Sequence, residues 1–106
     1  MSIPKQGDIY QIDLPELGSD RRGNVLVLSV TRYNTSQLIV AVPVLPKSYN
    51  ILIEKPVIEL DQKHIILSDQ LKTVNYQNRK PRYVGTVPGE ILLKVLGLVS
   101  QILGIR

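Results

Sequence analysis

The hydrophobic residues in the first two thirds of the chain occur in short runs that are separated by turn residues. An imperfectly alternating run follows Gly7 at Ile9, Tyr10, Ile12 and Leu14. Almost continuous apolar runs follow at residues 25–30 and 38–44, and shorter ones at 51–53, 57–60, 65–67 and 82–87. Runs of this length predict β-strands, and the continuously apolar ones predict strands that are covered on both faces.

The segments between these runs predict connections. Residues 15–24 combine turn residues with charged side chains, which predicts a loop, and residues 33–36 predict a turn. Pro43 lies inside an apolar run, but proline has no N–H group to donate to a neighbouring strand. We therefore expect Pro43 at an edge, at a bulge or at the end of its strand.

The hydrophobic period changes in the last segment of the chain. Pro88 suits the first turn of a helix, and Glu90 complements the helix dipole there. Apolar residues then recur at helical spacing: Leu92, Val95, Leu96, Val99, Ile102 and Leu103. The opposite stripe is narrow and consists of Glu90, Lys94, Gly97 and Gln101. Such a wide apolar face predicts a helix that packs deeply across a sheet or partly against another subunit. Short strands followed by one helix predict a single domain (1–106) that is mainly β, a small antiparallel barrel or sandwich capped by the helix.

Composition narrows the classes of site that the chain can carry. It has 106 residues, no cysteine and one histidine, which excludes disulfides and a zinc site. No apolar run approaches the ~20 residues of a membrane span, and the first residues lack an export signal, so we expect a soluble, cytoplasmic protein with no membrane partner. The net charge of +4 favours nucleic acid or an acidic protein as partner.

Two polar segments are candidates for a binding site. The apolar run at 65–67 ends in Ser68, Asp69, Gln70, Lys72 and Thr73, and the basic residues Arg79, Lys80 and Arg82 follow shortly afterwards. Polar side chains at the end of a packed strand are held by the scaffold and remain open to a ligand. The upstream loop adds Ser19, Asp20, Arg21 and Arg22. The positive charge of both segments predicts an anionic ligand.

Each candidate also has a structural interpretation, which the sequence leaves open. Asp69 either transfers a proton at a groove or caps a turn, and Gln70 either contacts a base edge or satisfies backbone groups. Lys72 and Thr73 are phosphate contacts or solvated strand ends. Tyrosines such as Tyr76 and Tyr83 stack on bases or pack against the sheet, and a lone histidine such as His64 is usually structural.

The order of the motifs resembles that of the MazF/PemK/Kid group of toxins. Gly7-Asp8-Ile9-Tyr10 opens the chain, and the loop 18–23 precedes an apolar strand. The segment 40–44 reads Val-Ala-Val-Pro-Val, and the segment 69–73 reads Asp-Gln-Leu-Lys-Thr. Thr86-Val87-Pro88-Gly89-Glu90 then leads into the terminal helix. The likeness covers nearly the whole chain.

The resemblance implies a small SH3-like antiparallel barrel of CcdB/MazF type with a long C-terminal α-helix, working as a homodimer. It implies a type II toxin that cleaves single-stranded RNA without metal or cofactor. The 2′-hydroxyl attacks the adjacent phosphorus and yields a cyclic phosphate and a 5′-hydroxyl. A cognate antitoxin with an acidic tail covers the RNA groove, and DNA is contacted indirectly through the toxin–antitoxin complex.

That chemistry needs a base, an acid and a cation, and the resemblance assigns these roles to Asp20, Arg21, Arg22 and Asp69. The RNA path would be lined by Ser19, Ser68, Gln70, Lys72, Thr73, Arg79, Lys80 and Arg82. Three positions depart from the family pattern: Gly23-Asn24 stands where an Arg-Pro pair is usual, Leu45 where Thr or Ser is usual, and Leu67 where some members have arginine. Two alternatives therefore stay open: a toxin that poisons a protein target, as the CcdB group does with gyrase, and an inactive module that only binds an antitoxin.

Overall fold

The strands pair into one antiparallel sheet that is followed by a helix. The computed structural model describes residues 3–14, 21–46, 56–60 and 63–105. The strands are β1 (Asp8–Asp13), β2 (Arg22–Val27), β3 (Leu38–Pro46), β4 (Val57–Glu59), β5 (Lys63–Ile66), β6 (Lys72–Asn75) and β7 (Arg82–Thr86). The helices are α1 (Thr31–Asn34), a 3₁₀ helix (Tyr76–Arg79) and α2 (Gly89–Leu103). The prediction of a mainly β fold with a long C-terminal helix is confirmed.

The sheet curls into a half-barrel. Its strand order is β4-β5-β3-β2-β1-β7, and β6 pairs with β3 beside β5. In a flat sheet β6 and β7 would lie four strand spacings apart, about 19 Å. Only six residues join them, and four of these form the compact 3₁₀ helix. The sheet must therefore bend so that the connection between β6 and β7 passes the end of β1, and Arg79 hydrogen bonds to β1 there.

Two apolar clusters cover the two faces of the sheet. Residues of the first face pack against α2, and they include Ile9, Leu26, Val42, Val44 and Ile66. Residues of the second face form the other cluster, and they include Tyr10, Ile12, Val25, Ile39 and Tyr76. Alternation along β1 therefore sends Ile9 under the helix and Tyr10 and Ile12 into the other cluster.

Helix α2 packs on the sheet through its middle turns and extends beyond it at its end. Val95 is fully buried, and Leu92, Leu96 and Val99 pack against the first cluster. Ile102 and Leu103 are more than half exposed, although they continue the same apolar face. The helix ends at Gly104, whose left-handed conformation (φ 75°) suits glycine. Deep packing is therefore confirmed for the middle of the predicted apolar face, whereas contact of its exposed last turn with another subunit stays a prediction.

Several predicted boundaries were wrong because pairing between distant segments decided them. The loop expected at 15–24 gives way to β2 at Arg22, which faces Asp13 across the ladder with β1. Residues 15–20 of that loop and the strand expected at 51–53 lie outside the described residues. The run 25–30 leaves its strand after Val27, and the first two residues of the turn expected at 33–36 belong to the helical turn α1.

Pro43 lies in the interior of β3, a central strand, rather than at an edge or a strand end. On one side β3 pairs with β2. On the other side it pairs with β6 through residues 38–41 and with β5 through residues 44–46. The Pro43 carbonyl accepts a hydrogen bond from the Leu67 N–H on this second side, so its nitrogen points there as well. A central strand tolerates the proline because the ladder is interrupted at this residue.

Strand β6 was not predicted, because Val74 is its only apolar residue and no hydrophobic run marks it. It forms because β3 is nine residues long and has room for two partners on one side. Among the described residues, no helix is long and apolar enough to cross a membrane.

Candidate nucleic-acid interface

The sheet face that α2 covers has an apolar end and a polar end. Cross-strand partners in an antiparallel ladder share a face. Ile9 pairs with Leu26 under the helix, whereas Gln11 pairs with Asn24 and Asp13 pairs with Arg22 farther along the same two strands. The polar end is not covered by the helix cluster, and a ligand can reach it.

A cleft of about 580 Å³ lies at this polar end. Its described lining consists of Asp13, Arg21, Arg22, Asn75, Asn78, Arg79 and Lys80. Four of these side chains are cationic, and Asp13 is the one carboxylate among the described lining residues. β1, the start of β2 and the connection between β6 and β7 supply the lining. An excess of positive charge in a concave site concentrates anionic ligands.

Arg22 is held by several acceptors at the floor of the cleft. Its Nη1 lies 2.5 Å from Asp13 Oδ1, and the two side chains are 30% and 35% exposed. Its Nη2 donates to the main-chain oxygens of Gln11 at 3.1 Å and Lys80 at 2.6 Å. Its Nε contacts Gln11 Oε1 at 3.4 Å. The guanidinium therefore joins β1, β2 and the connection that precedes β7.

Two further arginines bind the same strand end. Arg79 Nη1 donates to the main-chain oxygen of Asp13 at 3.1 Å. Arg82 donates to Gln11 Oε1 through Nε at 3.3 Å and Nη2 at 3.2 Å. Gln11 thus accepts hydrogen bonds from Arg22 and Arg82 with a single amide oxygen. These contacts hold the basic segment 79–82 against β1.

Lys80 adopts a left-handed backbone conformation, with φ 49° and ψ 59°. This region is unfavourable for residues with a Cβ. The conformation ends the 3₁₀ helix and accompanies the hydrogen bond from Arg22 to the Lys80 carbonyl. Backbone strain of this kind at a charged cleft persists only where the surrounding contacts fix it.

Arg21 differs from Arg22 in the contacts of its side chain. Its carbonyl accepts a hydrogen bond from the Leu14 N–H at 2.9 Å, which fixes its backbone beside β1. Its side chain is exposed, lines the cleft and makes no hydrogen bond within the described part of the chain. The Arg21 guanidinium is therefore available to an anion.

The structure separates the predicted residues into two groups at opposite ends of β6. Arg21, Arg22, Arg79 and Lys80 line the cleft, and Arg82 shares the Gln11 amide oxygen with Arg22. Asp69 and Gln70 are exposed in the turn after β5, where the Gln70 N–H donates to the Leu67 carbonyl. Lys72 and Thr73 follow in β6, and strand geometry puts Lys72 about 10 Å from Asn75 in the cleft. Residues 68–73 do not line the cleft.

The remaining predicted residues are either buried or outside the described part of the chain. Ser68 is buried at 4% exposure, and its Oγ has no hydrogen-bond partner among the described residues. Ser19 and Asp20 lie outside the described residues. His64 is also buried and has an interaction partner, as expected of a structural histidine.

Three tyrosines, Tyr10, Tyr76 and Tyr83, lie on the second face of the sheet. Tyr76 is buried, and its hydroxyl donates to the Asn34 carbonyl at 3.0 Å. Tyr83 is 54% exposed and packs edge-on against Tyr10, with ring centroids 5.8 Å apart. Burial raises the pKa of Tyr10, and the charge of Asp8 raises it further. Tyr83 is therefore open to a ligand ring, whereas Tyr76 is not.

Sequence reasoning missed Gln11, Asp13, Asn75 and Asn78. Gln11 and Asp13 are the two polar residues that follow Ile9 at alternate positions of β1, and this period of two marks a shared face. That signal was readable from the sequence. No sequence signal marked Asn75 and Asn78, because their position in the cleft depends on the curl of the sheet. Within the described residues, no three His, Cys, Asp or Glu side chains cluster as metal ligands would.

Comparisons with known proteins agree with this architecture. A crystal structure of the MazE–MazF complex from Deinococcus radiodurans superposes with a TM-score of 0.82 at 21% identity, covering 99% of this chain and 100% of that one. MazF alone from the same organism gives 0.81 at 22% identity, with coverage of 99% and 100%. An endoribonuclease in complex with its cognate antitoxin from a mycobacterial species gives 0.73 at 19% identity, covering 100% of this chain and 98% of that one.

These structures establish the likeness of fold. A search of curated proteins found no match. The sequence itself matches the family described as PemK-like, MazF-like toxin of type II toxin–antitoxin system over residues 5–103. The chain therefore belongs to the PemK-like, MazF-like toxin family of type II toxin–antitoxin systems.

Proposed function

We propose that this toxin is a metal-independent endoribonuclease that cleaves single-stranded RNA. The observation that carries the proposal is the cleft at the end of β1, whose described lining has four cationic side chains and one carboxylate. A ribose–phosphate strand is the anionic ligand that such a cleft attracts without regard to base sequence. Family membership and the fold shared with a mycobacterial endoribonuclease support the same proposal.

The proposed reaction is an internal transesterification. A base removes the proton of the 2′-hydroxyl, whose oxygen bonds to the adjacent phosphorus while the bond from phosphorus to the 5′-oxygen breaks. An acid protonates the departing 5′-oxygen, so the products are a 2′,3′-cyclic phosphate and a 5′-hydroxyl. Cationic donors stabilise the charge on the phosphorane oxygens, which is the largest contribution expected from the protein.

The candidate residues divide by chemistry. Asp20 and Asp69 are the proposed proton-transfer groups, and Arg21 and Arg22 supply positive charge at the phosphate. Asp69 would need to approach the cleft, because it lies beyond the opposite end of β6 in this structure. Gln70, Lys72 and Thr73 extend the RNA path along β6, and Arg79, Lys80 and Arg82 extend it from the cleft. Ser19 and Ser68 complete the proposed contacts. Ser68 would need to become accessible, because it is buried in this structure.

The proposed partners follow from the family and from the surface. An antitoxin with an acidic tail would occupy the same cationic cleft and block it, and it would bring the toxin to DNA indirectly. A second copy of the chain would cover part of the apolar side chains that α2 exposes at Leu93, Ile102 and Leu103. We therefore propose a cytoplasmic homodimer, which light scattering at several protein concentrations tests directly.

The decisive experiment maps RNA ends. Purified protein is incubated with a long unstructured RNA in EDTA, and new 5′-hydroxyl ends are sequenced for wild type and Arg21→Ala. Arg32→Ala is the matched control, because Arg32 is an exposed arginine in α1 that does not line the cleft. We expect cuts with wild type and Arg32→Ala and a loss of about tenfold or more with Arg21→Ala. RNA that stays intact with wild type contradicts nuclease activity.

One observation favours a second candidate, a non-catalytic RNA- or antitoxin-binding module. The carboxylate among the described cleft residues, Asp13, is paired with Arg22. Its Oδ1 is therefore already occupied by an ion pair that joins β1 to β2. Wild-type protein that binds the RNA in EDTA but leaves it uncut would select this alternative. Growth arrest without RNA cleavage, abolished by truncation of the last three residues, would instead indicate a protein target such as gyrase.

A further inference from the structure

Two arginines that are adjacent in sequence have different surroundings at the cleft. The guanidinium of Arg22 uses four of its five N–H groups within the protein. The Arg21 side chain is exposed and makes no hydrogen bond to any described residue. The Arg21 guanidinium is therefore available to bind a ligand, whereas the Arg22 guanidinium is already occupied by contacts within the protein.

The Arg22 contacts join three segments that are far apart in sequence. They connect β2 to Gln11 and Asp13 in β1 and, across 58 residues, to the carbonyl of Lys80. Lys80 follows the 3₁₀ helix, and its own side chain and that of Arg79 line the cleft. Arg22 thus adds a hydrogen bond at Lys80 to the contacts by which Arg79 and Arg82 bind β1.

Turning Arg22 toward a phosphate would undo this arrangement. Four hydrogen bonds would break, and the partly buried carboxylate of Asp13 would lose its counter-ion. Each contact is modest at this exposure, but all four would be lost together. Arg21 can bind an anion without breaking any contact among the described residues.

We propose that Arg22 is a positioning residue that locks the segment carrying Arg79 and Lys80 onto β1, and that Arg21 is the guanidinium that contacts the phosphate. The assignment rests on the proposed RNA-binding function for Arg21, whereas the role of Arg22 as a lock stands on the contacts alone. The family resemblance gives Arg21 and Arg22 the same catalytic role, whereas this proposal gives each arginine a different one.

The lock is tested in the protein without RNA. Arg22→Lys keeps the charge but replaces a planar fork with a point charge that cannot reach all the acceptors. We expect amide hydrogen exchange at residues 76–80 to accelerate about tenfold or more in Arg22→Lys. Asp13→Asn is the second variant, and it should accelerate this exchange less than Arg22→Lys does. The control, Arg32→Lys, should leave the exchange unchanged. Wild-type protection at 76–80 in both cleft variants would overturn the assignment.

The phosphate contact is tested with a single-stranded oligodeoxynucleotide, which lacks the attacking 2′-hydroxyl and stays intact. The Nε–Hε NMR signals of the two arginines are assigned by their loss in Arg21→Lys and Arg22→Lys. During titration we expect the Arg21 signal to shift and the Arg22 signal to stay in place. The dissociation constant for the oligonucleotide should rise about tenfold in Arg21→Ala and by less in Arg21→Lys, which keeps the charge. Arg22→Lys also keeps the charge, but we expect it to lose affinity.

The two proposals fail in distinguishable ways. A wild-type protein that binds no oligonucleotide and cuts no RNA contradicts the proposed function, while the exchange of residues 76–80 still decides the role of Arg22. A larger shift of the Arg22 signal than of the Arg21 signal, or full binding by Arg22→Lys, overturns the division of roles even when the nuclease proposal holds.

Discussion

The Tyr76 hydroxyl donates a 3.0 Å hydrogen bond to the main-chain oxygen of Asn34, a residue 42 positions earlier in the chain. The Asn34 side chain is fully buried, and its amide donates to the carbonyls of Pro4 at 2.7 Å and Ser29 at 3.1 Å. Asn34 therefore ties the N-terminal segment and α1 to the 3₁₀ helix. That helix ends at Arg79 in the cleft, so the contacts of Asn34 help to fix the start of the segment that carries the cationic side chains.

Asn34→Ala should destabilise the fold strongly. It removes the two bonds to carbonyls and the contact with the Ser29 hydroxyl, and it leaves buried polar groups without partners. We expect a loss of about 3 kcal/mol in the free energy of unfolding, measured by urea denaturation. Gln77→Ala, at an exposed residue of the 3₁₀ helix, should change it by less than about 0.5 kcal/mol. If both variants lost the same free energy of unfolding, the buried hydrogen bonds of Asn34 would not contribute specially to stability.

The sequence predicted those parts of the fold that depend on local pattern. The period of the last segment marked α2, and the alternation after Gly7 marked β1. The position of Asn34 was not predictable, because an asparagine in a turn gives no sign that strands and the N-terminal segment will enclose it. The Arg22 contacts were hidden for the same reason. They depend on the pairing of Asp13 with Arg22 and on the curl that brings Lys80 to β1.

Substitutions at Lys80 separate the effect of its backbone from that of its charge. Lys80→Gly and Lys80→Ala remove the same cation, but only glycine adopts φ 49° without steric strain. We expect the glycine variant to be more stable than the alanine variant by about 1 kcal/mol in urea denaturation. Two variants of equal stability would mean that the left-handed conformation relaxes when the side chain is shortened.

Stability at high pH should depend on Tyr10. Burial and the charge of Asp8 raise the pKa of Tyr10 above the ordinary tyrosine value of 10.0. The unfolded chain therefore loses this proton first, and the contribution of Tyr10 to stability is present below pH 10 and is lost as pH rises toward the folded pKa. Unfolding free energies from pH 8 to 11 should fall more steeply for wild type than for Tyr10→Phe.

The control for this measurement is Tyr33→Phe, which changes an exposed tyrosine of α1. It should follow the wild-type curve throughout the range. Parallel curves for wild type and Tyr10→Phe would show that the phenol of Tyr10 deprotonates equally easily in the folded and unfolded chains.

The salt dependence of oligonucleotide binding should report how many cations of the cleft meet phosphates. For single strands, the logarithm of the association constant falls with the logarithm of salt concentration by about 0.7 per phosphate contacted. If Arg21, Arg79 and Lys80 each neutralise one phosphate, the wild-type slope should be about −2. Arg21→Ala should make it shallower by about 0.7, because one contact disappears.

Arg32→Ala serves as the matched control, since it removes an equal charge from the surface outside the cleft. Its slope should stay at the wild-type value, because a distant exposed charge is screened within about 10 Å at 0.1 M salt. If Arg21→Ala and Arg32→Ala change the slope equally, the attraction comes from the net charge of the protein. The cleft at the end of β1 would then not be where the strand binds.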